Sequence, residues 1–191
     1  MNKPGRILIK GGRIIDPVQG IDVVADLLIE DGVFKGVEEG VSAQKGAQVI
    51  EAKGLVVSPG FIDLHCHLRE PGFEHKETIA TGTMAAARGG FATVCAMPNT
   101  DPVMDSRSIV ELVLRKGREE GAVRVLSIGA VTKGSKGQEL AEMAELSDAG
   151  VIGFSDDGHP VADDNIMRQA LSYSSALGLP IINHCEVSRL S

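Results

Sequence analysis

No run of apolar residues in these 191 approaches the roughly 20 that a membrane span requires. The N-terminus, Met1-Asn2-Lys3-Pro4-Gly5-Arg6, has no apolar stretch behind it of the kind a secretory signal carries. Basic residues form no stripe, and 19 Lys and Arg stand against 26 Asp and Glu, for a net charge of -7. Nucleic acid is therefore an unnatural partner and small-molecule chemistry the better expectation. Cysteine is scarce as well. Cys66, Cys95 and Cys185 are odd in number, far apart and without C-x-x-C spacing, which excludes a disulfide framework or a structural zinc knot. Three buried reduced thiols are expected instead. These absences describe a soluble, cytoplasmic chain with neither a membrane nor a nucleic-acid partner.

What is present is enough apolar sequence for a real core, 43% of all residues, and an abundance of glycine. Up to residue 57 the chain reads as short strands at 6–10, 13–17, 26–30, 48–52 and 55–57, separated by turns. Gly11-Gly12 breaks the first pair, and Asp31-Gly32 suits a tight hairpin. This pattern predicts a small antiparallel unit belonging to a β-sandwich, over residues 1–58.

From Gly60 the pattern becomes strand, turn, helix, repeated about every 30 residues, the length of one βαβ step. Strands are expected at 61–68, 91–97, 123–131, 151–155 and 180–185. Helices are expected at 77–88, 106–120, 138–149 and 165–177, with Gly89-Gly90, Gly121, Gly150 and Gly178 placed for left-handed caps. Val- and Ile-rich strands with little alternation fit a parallel sheet covered by helices. Candidate polar groups fall at the C-terminal ends of successive strands, where a barrel gathers them at one mouth and an open sheet strings them along an edge. The fold expected for residues 59–191 is therefore α/β, an incomplete (β/α)8 TIM-type barrel of about five units, following the β-sandwich segment.

The chemistry centres on F-I-D-L-H-C-H-L-R-E-P, residues 61–71. Strand side chains alternate faces, so His65 and His67 point the same way and Cys66 points opposite. Two imidazoles so placed suit one divalent metal, whereas two titratable rings buried side by side without a cation are costly. Arg69 is expected near the strand end on the same face, where a guanidinium suits a carboxylate substrate; pairing with Glu70 is the alternative. Asn99, in Met97-Pro98-Asn99-Thr100, offers a donor and an acceptor at the mouth, or simply an ordinary turn. In Ser155-Asp156-Asp157-Gly158 one carboxylate is placed to bridge two metals, with the choice between Asp156 and Asp157 open. His184 ends the fifth strand in register with these groups and shares a face with Glu186. His75 and His159 lie in polar loops and read as surface residues. Two divalent ions sharing a water would make hydrolysis at an amide-like carbon, or its reverse, the natural reaction.

These residues resemble a known family. G-G-R-I-I-D-P, I-E-D-G and S-P-G-F-I-D-L-H-C-H-L-R-E-P-G are similar to the amidohydrolase superfamily. H-L-R-E-P-G, K-E-T-I-A-T-G-T, M-P-N-T, F-S-D-D-G and N-H-C-E together resemble the bacterial type I dihydroorotases within it. The resemblance implies reversible closure of N-carbamoyl-L-aspartate to L-dihydroorotate, in pyrimidine biosynthesis, at two zinc ions. It implies that His65 and His67 ligate one zinc, that Asp157 bridges, and that His184 ligates the second. It assigns Arg69 and Asn99 to the substrate's α-carboxylate, beside His67. A lysine bridge, on which the similar hydantoinases rely, has no counterpart at the end of the fourth strand. The family's remaining histidine ligand and its general-base aspartate belong to strands beyond the fifth. The expectation is thus an N-terminal portion of a longer enzyme, inactive alone. An allantoinase-like ureide hydrolase and a non-catalytic partner of aspartate transcarbamoylase are the competing readings. A homo-oligomer or a transcarbamoylase complex is the expected assembly.

Overall fold

The computed structural model describes residues 5–42, 46–187 and 190. The chain divides into two compact units, Met1–Pro59 and Gly60–Ser191.

The first unit is one sheet. Its strands are β1 (Arg6–Asp16), β2 (Ile21–Glu30), β3 (Val33–Glu38), β4 (Gln48–Glu51) and β5 (Val56–Val57), in the order β3-β2-β1-β4, with β5 also against β1. Asp31 and Gly32 both adopt positive φ, 51° and 79°, and make the two-residue connection from β2 to β3. Two expectations are corrected. Gly11-Gly12 does not separate two strands but forms a bulge within β1, where the buried Asp26 carboxylate accepts from Gly11 N at 2.8 Å and from Val41 N at 2.9 Å. The sheet is mixed, not antiparallel, because β4 and β5 run parallel to β1. The described strands of this unit lie in one sheet. Ile14, Ala25 and Leu27 form the centre of its apolar face.

The second unit alternates strand and helix. Parallel strands β6 (Phe61–Cys66), β7 (Phe91–Ala96), β8 (Arg124–Gly129) and β9 (Val151–Phe154) lie in chain order, with no switch point of the doubly wound kind. Helices α1 (Ile79–Arg88), α2 (Arg107–Glu120), α3 (Met143–Ala149) and α4 (Asp164–Leu177) follow them in turn. This is the arrangement of consecutive units in a (β/α)8 barrel, of which the chain holds part. Helix starts have local causes. Thr78 and Thr81 make a reciprocal capping box for α1, and the Asp163 carboxylate accepts from Asn165 N and Ile166 N for α4. Gly150 and Gly178 are left-handed caps, whereas Gly121 is extended (φ -70°, ψ 134°).

The fifth expected strand is reduced to one bridge, Phe154 to Ile181, and residues 182–187 past it are irregular. The expected helix at 138–149 begins only at Met143. Its first residues instead pair with the segment after β8: Lys133 N donates to Glu139 O and Ala141 N to Val131 O, both at 2.9 Å. Backbone groups satisfied there cannot also start a helix.

Along β7 the alternation divides the core. Val94 and Ala96 pack among buried residues of the helices, including Ile79, Val110, Val113 and Leu146, while Cys95 and Met97 join Ile128 on the opposite face. Fully burying an aliphatic side chain contributes about 1.5–3 kcal/mol, so the helix-side cluster carries the unit. Cys95 is buried, but Cys66 is only half-buried and Cys185 is exposed, against the expectation for the thiols. No helix among the described residues is long and apolar enough to cross a membrane.

Candidate metal centre

Asp157 is the hub. Beyond β9, Ser155 N donates to Gly129 O at 2.9 Å, its Oγ donates to Ile182 O at 2.6 Å, and Asp157 N donates to Ser155 Oγ at 3.1 Å. The backbone is thus fixed on both sides before the aspartates are reached. Asp156 then turns back. Its Oδ1 accepts from Val131 N (2.8 Å) and Thr132 N (3.0 Å), and its Oδ2 from the Thr132 hydroxyl. Burial pushes its carboxyl above the usual carboxylate range, against the pull of those donors. Asp157 points the other way, 7% exposed, into a group of imidazoles. The choice between the two that sequence left open is made by the unpaired N–H groups after β8, which only one side chain can reach.

His65 Nε2 lies 3.3 Å from Asp157 Oδ1, His67 Nε2 lies 3.5 Å from Oδ2, and His184 Nδ1 lies 3.4 Å from Oδ1. The His65 and His67 rings meet edge to face, 5.1 Å between centroids. Cys66 packs towards the helix-side core, where burial pushes its thiol up to about 11. Asn99 joins the group in a way sequence did not indicate. Its Oδ1 is 3.0 Å from His67 Nδ1 and its Nδ2 donates to Asp157 Oδ2 at 3.4 Å. The amide can only donate to the carboxylate, so its oxygen accepts from His67 Nδ1–H. That tautomer leaves the Nε2 lone pair facing Asp157. Across the site, His184 Nε2 meets Glu186 Oε2 at 2.9 Å, and Glu186, ahead of Asp157, holds the His184 imidazole above its ordinary pKa.

The donor set fits a divalent cation. Ligand atoms of His65, His67 and Asp157 all lie within 4.8 Å of one another, and His184 meets the group through Asp157. A charge-assisted hydrogen bond between imidazolium and carboxylate closes to about 2.7–2.9 Å. Two ligands about 2.1 Å from one tetrahedral ion stand about 3.4 Å apart. The 3.3 and 3.5 Å of His65 and His67 suit the second case.

Arg69 is corrected in one respect. β6 ends at Cys66, and Arg69 has φ +62°, so strand alternation does not extend to it. Glu70, its alternative partner, is engaged elsewhere: it is buried, its Oε1 pairs with Lys116, and its Oε2 accepts from Ile79 N at 2.8 Å. Sequence reading weighed Glu70 only as a partner of Arg69, although a carboxylate ahead of a helix with no acid in its first turn is a recognisable signal. His75 and His159 are exposed and outside the group.

A family model described as dihydro-orotase-like matches residues 54–191. A dihydroorotase of Geobacter metallireducens is 50% identical over 180 residues, and one of Geobacter sp. (strain M21) is 52% identical over the same length. Each alignment takes in 94% of this chain and 42% of the relative, so the chain spans about two fifths of the curated relatives it matches. Among solved structures, L-hydantoinase (dihydropyrimidinase) from Arthrobacter aurescens matches 94% of this chain and 40% of its own, with a TM-score of 0.81. At 23% identity that likeness shows the fold alone.

Proposed function

The chain belongs to the dihydro-orotase-like family, and we propose from that premise that it carries the metal centre of a zinc-dependent dihydroorotase, a cyclic amidohydrolase that interconverts N-carbamoyl-L-aspartate and L-dihydroorotate in pyrimidine biosynthesis. The observation that carries this reading is one buried carboxylate, Asp157, faced by three imidazole nitrogens at 3.3–3.5 Å. His65 and His67 would hold one zinc, Asp157 would be shared, and His184 would serve a second. When bound there, a divalent ion would make water acidic enough to supply hydroxide near neutral pH and would draw electron density from a carbonyl.

The chain's own residues set up the rest. Asn99 fixes the His67 tautomer and presents its amide beside Asp157, within reach of a substrate carboxylate. Arg69 supplies the cation for that carboxylate, whose charge the acidic chain would otherwise repel. In the hydrolytic direction water adds to the ring amide carbonyl, the carbonyl–nitrogen bond breaks, and the nitrogen takes a proton; closure reverses each event. The end of β9 has no lysine, which favours the aspartate-bridged dihydroorotases over hydantoinases despite the shared fold.

Zinc and ligand binding test the reading together. The chain is expected to retain zinc on dialysis, and the loaded chain to bind dihydroorotate in calorimetry at least about tenfold more tightly than allantoin or hydantoin. Preference for allantoin would move the assignment to a ureide hydrolase. Failure to hold zinc would overturn the metal centre and favour a non-catalytic partner of aspartate transcarbamoylase.

A further inference from the structure

Glu70 N donates to Leu68 O at 2.8 Å across Arg69, whose φ is +62°. A bond that spans one residue with positive φ is a γ-turn of the rare, strained kind. A non-glycine residue stays in such a conformation only where its surroundings leave no other choice. On one side Leu68, 2% exposed, is locked in the helix-side core. On the other, Glu70 is 6% exposed and holds two partners from different helices: Ile79 N at the start of α1 and Lys116 on α2. Lys116 is steadied in turn by Glu120 at 3.3 Å. Beyond Glu70, Pro71 O accepts from Asp101 N at 3.0 Å, and Gly72 stands so close to Asp101 that a Cβ would lie 2.1 Å from its carbonyl oxygen. The loop that carries Arg69 is thereby bound to the loop that carries Asn99.

A buried ion pair is a weak way to add stability, because desolvation offsets the attraction. A carboxylate pinned by a helix N-terminus and an ammonium does, however, define one backbone geometry. We infer that Glu70, with Lys116, is a positioning residue that holds Arg69 in its strained turn and so aims the guanidinium at a substrate carboxylate. The inference rests on the proposed role of Arg69 in binding that carboxylate.

The test is dihydroorotate binding to the zinc-loaded chain, by calorimetry, for Glu70→Gln, Lys116→Met, Lys116→Arg and Arg69→Gln, and for the first two combined with Arg69→Gln. Glu70→Gln and Lys116→Met should each weaken binding about tenfold, as loss of orientation does, with zinc affinity unchanged. Lys116→Arg should recover most of the loss. In the Arg69→Gln background neither should weaken binding further, since both act through Arg69. Lys116 lies partly exposed on α2, so its variants keep the test open if Glu70→Gln does not fold. Weakening by Arg69→Gln alone, or full additivity of the losses, would overturn the inference and leave the proposed function standing. No effect of Arg69→Gln, or no binding by the unaltered chain, would overturn the carboxylate assignment and this inference with it.

Discussion

Two adjacent aspartates with opposite tasks make a sharp experiment. Asp156→Ala removes the acceptor of two buried backbone N–H groups, those of Val131 and Thr132, and of the Thr132 hydroxyl. The hydroxyl can turn elsewhere; the two amides cannot. At about 1–3 kcal/mol for each orphaned donor, the loss centres on about 4 kcal/mol. In a chain of this size that lowers Tm by roughly 8–16 °C. Asp156→Asn should behave differently. Both amides point at Oδ1, which an asparagine oxygen replaces, so only the hydroxyl contact suffers and the cost is about 1 kcal/mol. Charge is not what this position needs, since burial already disfavours it. Zinc affinity of either folded variant should match the unaltered chain. Asp157→Asn reverses the pattern. Stability of the metal-free chain changes by less than about 1 kcal/mol, because a neutral side chain relieves a buried charge. Zinc affinity falls by more than about a hundredfold, beyond what loss of a supporting residue causes. Thermal unfolding of metal-free protein and zinc competition with a chromophoric chelator give both numbers. The reasoning fails if Asp156→Asn strips zinc, or if Asp157→Asn keeps it and lowers Tm as Asp156→Ala does.

Gly72→Ala should cost more than about 3 kcal/mol, since φ +96° and a Cβ 2.1 Å from the Asp101 carbonyl oxygen leave no relaxed alternative; a urea midpoint within error of the unaltered chain would refute the close approach. The hydrogen bond that Lys116 donates to Glu70 raises the lysine pKa from its ordinary 10.5. Its folded value exceeds its unfolded one, so the stability it contributes is complete below 10.5 and is lost as pH rises through the folded value. Lys116→Met should therefore flatten the alkaline limb of the stability profile, and an unchanged limb would dismiss the pair. In the first unit, Asp26→Ala orphans Gly11 N and Val41 N, both only part-buried, so water offsets some of the loss and the change should cost about 1–3 kcal/mol by denaturant titration; hydrogen exchange at these two amides should rise, and unaltered protection would refute it.

Residues inside regular strands were legible because a period of two assigns their faces. His65, Cys66 and His67 are divided as alternation requires, and Val94 to Met97 divide two apolar clusters in the same way. Past the first residue beyond a strand, legibility faded, although His184 meets Asp157 as expected, from an irregular segment. Nothing local to Ser155-Asp156-Asp157 indicates which carboxylate turns back; the answer lies in two N–H groups about 25 residues earlier. Arg69 sits past the end of β6 in a turn whose geometry is imposed by α1 and α2. The segment at 138–142 has helical composition, yet pairing with residues 131–133 takes its backbone groups. Gly11-Gly12 looked like a break because a bulge uses the same residues as a turn.

The anchors of the site are the immediate neighbours of its functional groups. Asp157 has Asp156 beside it, Arg69 has Glu70, and Asn99 has Thr100. Each neighbour is buried, and each is hydrogen-bonded to a segment other than the one carrying the functional group or to the turn just beyond it: Asp156 to Val131 and Thr132, Glu70 to Ile79 and Lys116, Thr100 to Pro102 O at 2.8 Å. Just past each strand end, a residue of the site has a neighbour engaged with helices or loops that offer hydrogen-bond partners. The neighbour can hold the backbone without entering the site. Exchanging the members of such a pair, as in Arg69→Glu with Glu70→Arg, should remove both the anchor and the ligand group. The loss would exceed that of either single change, because a buried guanidinium would then face Lys116 and the N-terminus of α1 with no anion between them.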